Sequence, residues 1–167
     1  MTTGDDRETD RVPHEALLAR AIALGAENVR AGKGGPFGAV VARDGVVLAE
    51  GTNVVTATLD PTAHAEIVAI RAACRALGSF QLEGCVLYAS CEPCPMCLGA
   101  IYWAHPQAVW FAAAREDAAA AGFDDALVYA ELAVPVAARR IPFRRALAVE
   151  GRAPFEAWRR DERRRPY

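Results

Sequence analysis

Residues 62–66 read T-A-H-A-E and residues 91–97 read C-E-P-C-P-M-C, and these two segments decide the fold of the chain. His64 in the first segment, with Cys94 and Cys97 in the second, supplies one imidazole and two thiols. Such a set suits Zn²⁺, and three protein ligands leave its fourth tetrahedral position for water. The spacing therefore predicts one open zinc site per chain.

Glu66 follows His64 too closely for the two to share a face in the middle of a helix. Their side chains converge only where a helix begins, and Asp60 before Pro61 predicts such a beginning, with Asp60 as its cap. Glu66 is then available as a general acid/base rather than as a ligand. H-x-E followed by P-C-x-x-C is typical of zinc-dependent nucleobase deaminases.

Two prolines, Pro93 and Pro95, mark a second helix start, with Cys94 near its cap and Cys97 one turn on. The partial positive charge of a helix N-terminus lowers the pKa of a thiol and favours the thiolate that a metal binds. The sequence thus predicts two helix N-termini facing one ion.

Cys91 leaves other interpretations open, because it is also spaced C-x-x-C from Cys94. A structural zinc site with four ligands and a redox dithiol are the two alternatives. The position of Cys91 at the end of a predicted strand favours a residue of the core or of the surroundings of the zinc ligands.

The 167 residues suit one domain, predicted to span 13–167 after a disordered extension over 1–12. The net charge of −2 gives no electrostatic reason to expect nucleic acid, although residues 159–165 are rich in arginine. A solvated helix face is the favoured explanation of those arginines. No apolar run is long enough to cross a membrane. The odd count of five cysteines, two of them in the metal motif, predicts a reducing cytoplasm.

Hydrophobic periodicity and turn residues predict alternating helices and strands. Helices are predicted at 13–30, 63–77, 95–104, 124–132 and 154–165, and strands at 37–43, 46–53, 85–90, 108–113 and 143–149. Asp44-Gly45 suits a tight hairpin turn. Strand, helix and strand over 85–113 predict a parallel pair with a crossover. The result is a three-layer α/β/α sandwich around a mixed sheet of about five strands.

Several stretches beyond the metal motif carry a family resemblance. They are 34–40 (GGPFGAV), 60–66 (DPTAHAE), 90–103, 121–125 (AGFDD) and 154–159 (PFEAWR). Through them the chain resembles the cytidine-deaminase-like zinc aminohydrolases, and most specifically the small bacterial guanine deaminases. The resemblance covers roughly residues 14–167, and 122–125 with the C-terminal stretch are its more specific part.

The resemblance implies deamination of guanine to xanthine and ammonia by a homodimer, with one Zn²⁺ per chain and Glu66 as proton carrier. It also implies a C-terminal segment, about residues 150–167, that can cross to the partner subunit. By resemblance, the substrate-binding residues are Asn53, Phe37, Trp103, Asp125 and Tyr167. Simpler readings stay open for four of them: a turn residue for Asn53, a helix cap for Asp125, and core packing for Phe37 and Trp103.

Three rival functions share part of this pattern. The same chemistry serves cytosine, cytidine or an aminotriazine such as ammeline. Deamination of adenosine in transfer RNA would need a basic surface around the site, which the net charge disfavours. A non-catalytic zinc module would have no use for Glu66.

Overall fold

The computed structural model describes residues 13–166. The predicted disorder of 1–12 and the predicted role of Tyr167 therefore lie outside the described residues. The chain divides into two compact units, Met1–Asp125 and Ala126–Tyr167. No helix within 13–166 is both long and apolar enough to cross a membrane.

Seven helices and four strands make up the regular structure of the described residues, with two short 3-10 turns in the second unit. In chain order they are α1 (His14–Arg30), β1 (Gly38–Arg43), β2 (Val46–Thr52), α2 (Val55–Thr58), α3 (Ala65–Leu77), β3 (Cys85–Cys91), α4 (Pro95–Ala104), β4 (Ala108–Ala113), α5 (Arg115–Ala120), α6 (Ala126–Ala133) and α7 (Ala153–Arg160).

The strands form one mixed sheet in the order β2-β1-β3-β4. β1 pairs antiparallel with β2 and with β3, whereas β3 and β4 run parallel and are joined by α4. Asp44 (φ 51°) and Gly45 (φ 80°) join β1 to β2 with the positive φ angles of a type I′ turn. The predicted hairpin and the predicted parallel pair are both confirmed.

Helices cover both faces of this sheet. Successive residues of a strand point to opposite faces, so Val40 packs with Leu24 of α1 while Val41 packs with Ile70 of α3 and Ile101 of α4. The predicted three-layer α/β/α sandwich is confirmed in the first unit.

Gly51 fixes the start of α3 against the sheet. A β-carbon at this position would collide with the carbonyl oxygen of Ala65 and the backbone nitrogen of Ala69. Because Ala65 is the first residue of α3, the close packing that glycine permits also fixes the position of His64, one residue earlier.

The sheet has four strands rather than about five, because the strand predicted at 143–149 does not form. Leu147 has a φ of 52°, which lies in the left-handed region and interrupts an extended run. The last helix is also shorter than predicted and ends at Arg160. Asp161 stops it, since its carboxylate accepts a hydrogen bond from the backbone N–H of Arg163 at 2.9 Å.

The second unit buries none of its described residues, 126–166, within the chain. Its large apolar side chains are exposed, with Leu132 at 61%, Ile141 at 72% and Phe155 at 69%. An apolar surface of this kind is typical of a segment that packs against a partner.

Candidate active site

The start of α3 places His64 and Glu66. His64 is the N-cap residue in an extended conformation (φ −70°, ψ 157°), and Glu66 is the second helical residue. The predicted capping role of Asp60 is wrong. Its carboxylate instead accepts hydrogen bonds from the backbone N–H and the hydroxyl of Thr62, at 2.8 and 2.7 Å. An aspartate that reaches two residues ahead closes a turn, and this turn leads the chain to His64.

The start of α4 places the two cysteines. Cys94 is its N-cap residue (φ −63°, ψ 168°), Pro95 occupies the first helical position, and Cys97 is the third helical residue. The second helix start is therefore confirmed. Because the first N–H groups of a helix have no partner within it, two helix N-termini bring positive potential to the same three side chains.

The three donor atoms have the spacing that zinc requires. The Cys94 and Cys97 sulfurs lie 3.5 and 3.6 Å from Nδ1 of His64. A nitrogen and a sulfur held by one tetrahedral zinc, at about 2.0–2.1 and 2.3 Å, would lie about 3.5 Å apart. Among the described residues, no fourth histidine, cysteine or carboxylate joins this group. The donor set thus fits one zinc ion with a position open to water.

The electrostatics of the group favour a metal-binding thiolate at Cys94. A hydrogen bond between the thiols lowers the pKa of Cys94 to about 4, and the same contact raises the pKa of Cys97. The hydrogen bond to Cys94 also raises the pKa of His64. An ionised sulfur is the form that binds a metal.

Glu66 is buried beside the metal ligands, with 8% of its surface exposed. Burial is the main cause that raises the pKa of its carboxyl, and the charge of Cys94 acts in the same direction. The carboxyl does not belong to the metal-ligating group. A buried carboxyl whose protonated form is favoured can take up and release protons next to that group.

A cavity of about 280 Å³ opens onto Glu66 and His64. Three predicted substrate-binding residues line it: Asn53, Phe37 and Asp125. The structure therefore brings these three together with the predicted proton carrier and two predicted zinc ligands, His64 and Cys94.

Phe123, Glu92 and Arg115 are among the further side chains that line the cavity, and they have no predicted role. Phe123 meets Phe37 edge to face, with ring centroids 4.9 Å apart and an interplanar angle of 86°. Glu92 follows β3, Arg115 follows β4, and the backbone N–H of Arg115 donates to the Glu92 carboxylate at 3.4 Å. Because neighbouring parallel strands end at the same edge of a sheet, the positions of Glu92 and Arg115 just after β3 and β4 could have identified them as site residues from the sequence.

Asn53 is held in one orientation. Its side-chain oxygen accepts hydrogen bonds from the backbone N–H groups of Gly35 at 3.5 Å and Val55 at 3.3 Å. With that oxygen engaged, the amide nitrogen is the group that Asn53 can offer to a ligand, as a donor.

Asp125 lies in the cavity wall within reach of several charges. Burial is the main cause that raises the pKa of its carboxyl, followed by the charge of Cys94, whereas the guanidinium of Arg115 lowers it. Asp125 thus places a carboxyl group on its side of the cavity.

Of the predicted substrate-binding residues that the structure describes, Trp103 is not brought into this cavity. Trp103 lies on α4, 63% exposed, and is not among the described residues that line the cavity. Leu98 and Tyr102 of the same helix are also exposed, at 42% and 73%. Tyr167 lies outside the described residues. The roles of Trp103 and Tyr167 stay predictions.

Cys91 is expected to be dispensable for the metal. Its thiol does not belong to the metal-ligating group and donates to the carbonyl of Ala114, 3.6 Å away. Serine can donate the same hydrogen bond, so Cys91→Ser is expected to keep about one zinc per chain, the stoichiometry of a three-ligand site, and to keep activity. Metal analysis of Cys91→Ser beside Cys97→Ser tests this, since only the second change removes a donor. Loss of zinc from Cys91→Ser would mean that the ligand set is wrong.

The fold and this group of side chains are those of a zinc-dependent aminohydrolase. Residues 11–113 match the family described as the cytidine and deoxycytidylate deaminase zinc-binding region. The chain belongs to that family.

Individual relatives agree with this assignment. The sequence is 56% identical to the guanine deaminase of Bacillus subtilis (strain 168) over 154 residues, which are 92% of this chain and 99% of that protein. The X-ray structure of guanine deaminase from Bacillus subtilis matches with a TM-score of 0.91 and 55% identity, over 93% of this chain and 99% of that one. A tRNA-specific adenosine deaminase of Aquifex aeolicus (strain VF5) is 44% identical over 78 residues, 47% of this chain and 52% of that protein. The resemblance predicted from the sequence is confirmed.

Proposed function

We propose that this protein is a guanine deaminase, which hydrolyses guanine with one water to give xanthine and ammonia. The observation that carries the proposal is the extent of the similarity. The match to the Bacillus subtilis guanine deaminase runs through both units, whereas the match to the transfer-RNA enzyme covers about half of the chain. The cavity volume of about 280 Å³ also suits a single heterocycle, because it lies near the lower limit for small-molecule sites.

The zinc site and the buried carboxyl of Glu66 have separate roles in the reaction. His64, Cys94 and Cys97 would hold the zinc ion, which would supply a bound water whose pKa is lowered to about 7. Glu66 accepts the proton that this water loses and delivers it to the ring nitrogen beside the amine-bearing carbon of guanine. Glu66 then takes the second proton from the new hydroxyl group and gives it to the amine, which leaves as ammonia while the carbon–oxygen bond becomes the oxo group of xanthine.

The remaining cavity residues recognise the base. Guanine presents ring N–H groups, which donate hydrogen bonds to the Asp125 carboxylate. It also presents oxo and ring-nitrogen atoms, which accept hydrogen bonds from the Asn53 amide. Phe37 and Phe123 provide aromatic surface for the ring system. A site that forms such hydrogen bonds rejects analogues without the matching groups by roughly 10⁴ or more.

Ammonia release from a panel of substrates tests the proposal. Guanine, cytosine, cytidine, ammeline and an RNA stem-loop are offered to the same zinc-loaded preparation. We expect guanine to have the highest kcat/KM, by at least about 10². A higher value for any other member of the panel would replace guanine with that substrate.

The active protein is a homodimer in which the second unit packs on the partner subunit. The support is the exposed apolar surface of residues 126–166, together with the exposed Tyr102 and Trp103 of α4. A surface of this extent in an isolated chain calls for a partner. The thiol ligands need a reducing compartment, so we place the enzyme in the cytoplasm.

Deleting residues 165–167 is expected to lower guanine turnover by at least about tenfold, or ~1.4 kcal/mol of transition-state stabilisation. On the resemblance, the terminal aromatic ring would lie near the base, where it would exclude bulk water from the site. Zinc content and dimer mass are expected to persist, because neither the metal ligands nor most of the apolar surface is removed.

Kinetics, metal analysis and light scattering of the truncated chain give these three quantities together. Tyr167→Phe is the matched control, since it keeps the ring and should retain most of the activity. Wild-type kinetics after the deletion would show that the tail has no part in the site.

A further inference from the structure

Asn28 is a buried polar residue on the inner side of α1, with 3% of its surface exposed. Its amide nitrogen donates two hydrogen bonds, to the carbonyl oxygens of Gly35 at 2.9 Å and of Asn53 at 2.8 Å. The reverse orientation would place the amide oxygen against two carbonyl oxygens, so this orientation is fixed. Both amide hydrogens of Asn28 are therefore used to join two separate loops.

The two loops carry residues of the cavity. The Gly35 carbonyl also accepts from the backbone N–H of Phe37 at 2.9 Å, and the Phe37 carbonyl accepts from the backbone N–H of Asn53 at 3.1 Å. The side-chain oxygen of Asn53 accepts a hydrogen bond from the backbone N–H of Gly35, which adds a further link between the two loops. A β-carbon at Gly34 would collide with the Asn53 carbonyl. The loop that carries Phe37 and the loop that carries Asn53 are thus in direct backbone contact, and the hydrogen bonds from Asn28 hold them together.

An asparagine at position 28 is energetically unfavourable in one respect, so packing alone does not explain its presence there. The side-chain oxygen of Asn28 is buried and has no hydrogen-bond partner among the described residues. A buried unpaired acceptor is unfavourable, and an apolar side chain of similar size would avoid it. The two hydrogen bonds from the amide nitrogen are the feature that an apolar residue could not supply.

We propose that Asn28 is a positioning residue for substrate recognition, which sets the placement of Asn53 and Phe37 through the carbonyls of Asn53 and Gly35. The inference rests on the proposed function, because that function assigns Asn53 and Phe37 to the base. Asn28 itself is neither among the described residues that line the cavity nor in the metal-ligating group. Its loss should therefore weaken binding of guanine more than it slows the chemical step.

The test compares Asn28→Leu, which has no donor, with Asn28→Ser, which keeps one donor. Leu17→Ala is the matched control, because Leu17 is a buried residue of α1 (3% exposed) in the core cluster away from the cavity. Each zinc-loaded protein is assayed for KM and kcat with guanine, zinc content and thermal midpoint. Amide hydrogen exchange follows the N–H groups of Gly35 and Val55, which donate to Asn53 Oδ1.

For Asn28→Leu we expect KM to rise by about tenfold or more, with kcat changed by less than about threefold and zinc retained. Exchange at Gly35 and Val55 should accelerate while the amides of α4 stay protected. Asn28→Ser should fall between wild type and Asn28→Leu, and it carries the test if the leucine variant does not fold. Leu17→Ala should lower the thermal midpoint without raising KM.

Two results would overturn the proposal: unchanged KM and exchange in both Asn28 variants, or KM and kcat changes equal to those of Leu17→Ala at the same loss of stability. A wild-type protein without activity on guanine would instead contradict the proposed function. The exchange measurement would still report whether Asn28 holds Asn53, so the two failures can be told apart.

Discussion

Replacing Glu66 with alanine is expected to lower kcat for guanine by about 10² to 10⁴ while the fold and the zinc are retained. The reaction moves one proton of the water to the ring nitrogen and the other to the leaving amine. The structure offers one carboxyl that is buried against the metal-ligating group without belonging to it. Removing that carboxyl takes away the proton carrier and leaves the ligands in place.

Glu66→Gln is the sharper variant, because glutamine keeps the shape and the hydrogen bonding of the side chain but cannot exchange a proton. We expect both variants to lose turnover to a similar degree, with zinc content at the wild-type value. Near-normal turnover in either zinc-replete variant would rule out the proton-carrier role of Glu66.

Replacing Asp125 with alanine is expected to lower kcat/KM for guanine by at least about tenfold, because a hydrogen bond to a charged group contributes about 1.5–3 kcal/mol. Asp125 lies in the same cavity as Glu66 and Asn53. The loss of its carboxylate leaves a ring N–H of the base without an acceptor. Zinc content should not change, since Asp125 is outside the ligand group.

Discrimination among methylated bases separates recognition from a general loss of activity. Wild-type protein should prefer guanine over its ring N-methylated derivatives. In one derivative the methyl group replaces the hydrogen of the N–H that faces Asp125, and Asp125→Ala should no longer distinguish that derivative from guanine. Glu83→Ala is the charge control, because Glu83 is an exposed carboxylate just before the start of β3, whereas the cavity lies at the other end of that strand. If guanine kinetics survive in Asp125→Ala, the residue is only a helix cap.

The parts of the site that local sequence determines were predictable. His64 and Glu66 can converge only at a helix start, and proline beside Cys94 marks another, so the zinc group follows from short-range rules. The hairpin followed from Asp44-Gly45 for the same reason, because few residues tolerate the positive φ of its turn.

Features that depend on distant contacts were not predictable. Residues 143–149 have the composition of a strand, yet the left-handed φ of Leu147 interrupts the run. Glu92 and Arg115 become neighbours only once β3 and β4 pair in parallel. The two hydrogen bonds of Asn28 join three segments of the chain, and an asparagine near the end of a helix carries no sign of such a role.

The central claim is that this chain hydrolyses guanine, and the origin of the new oxygen atom tests it most directly. Zinc-loaded protein is incubated with guanine in water enriched in the heavy oxygen isotope, and the product is analysed by mass spectrometry together with released ammonia. The account predicts xanthine that carries a single heavy oxygen, with ammonia in equal amount, and no product from Glu66→Gln above the residual rate. Unreacted guanine, beside ammonia released from cytidine or from the RNA stem-loop by the same preparation, would contradict it.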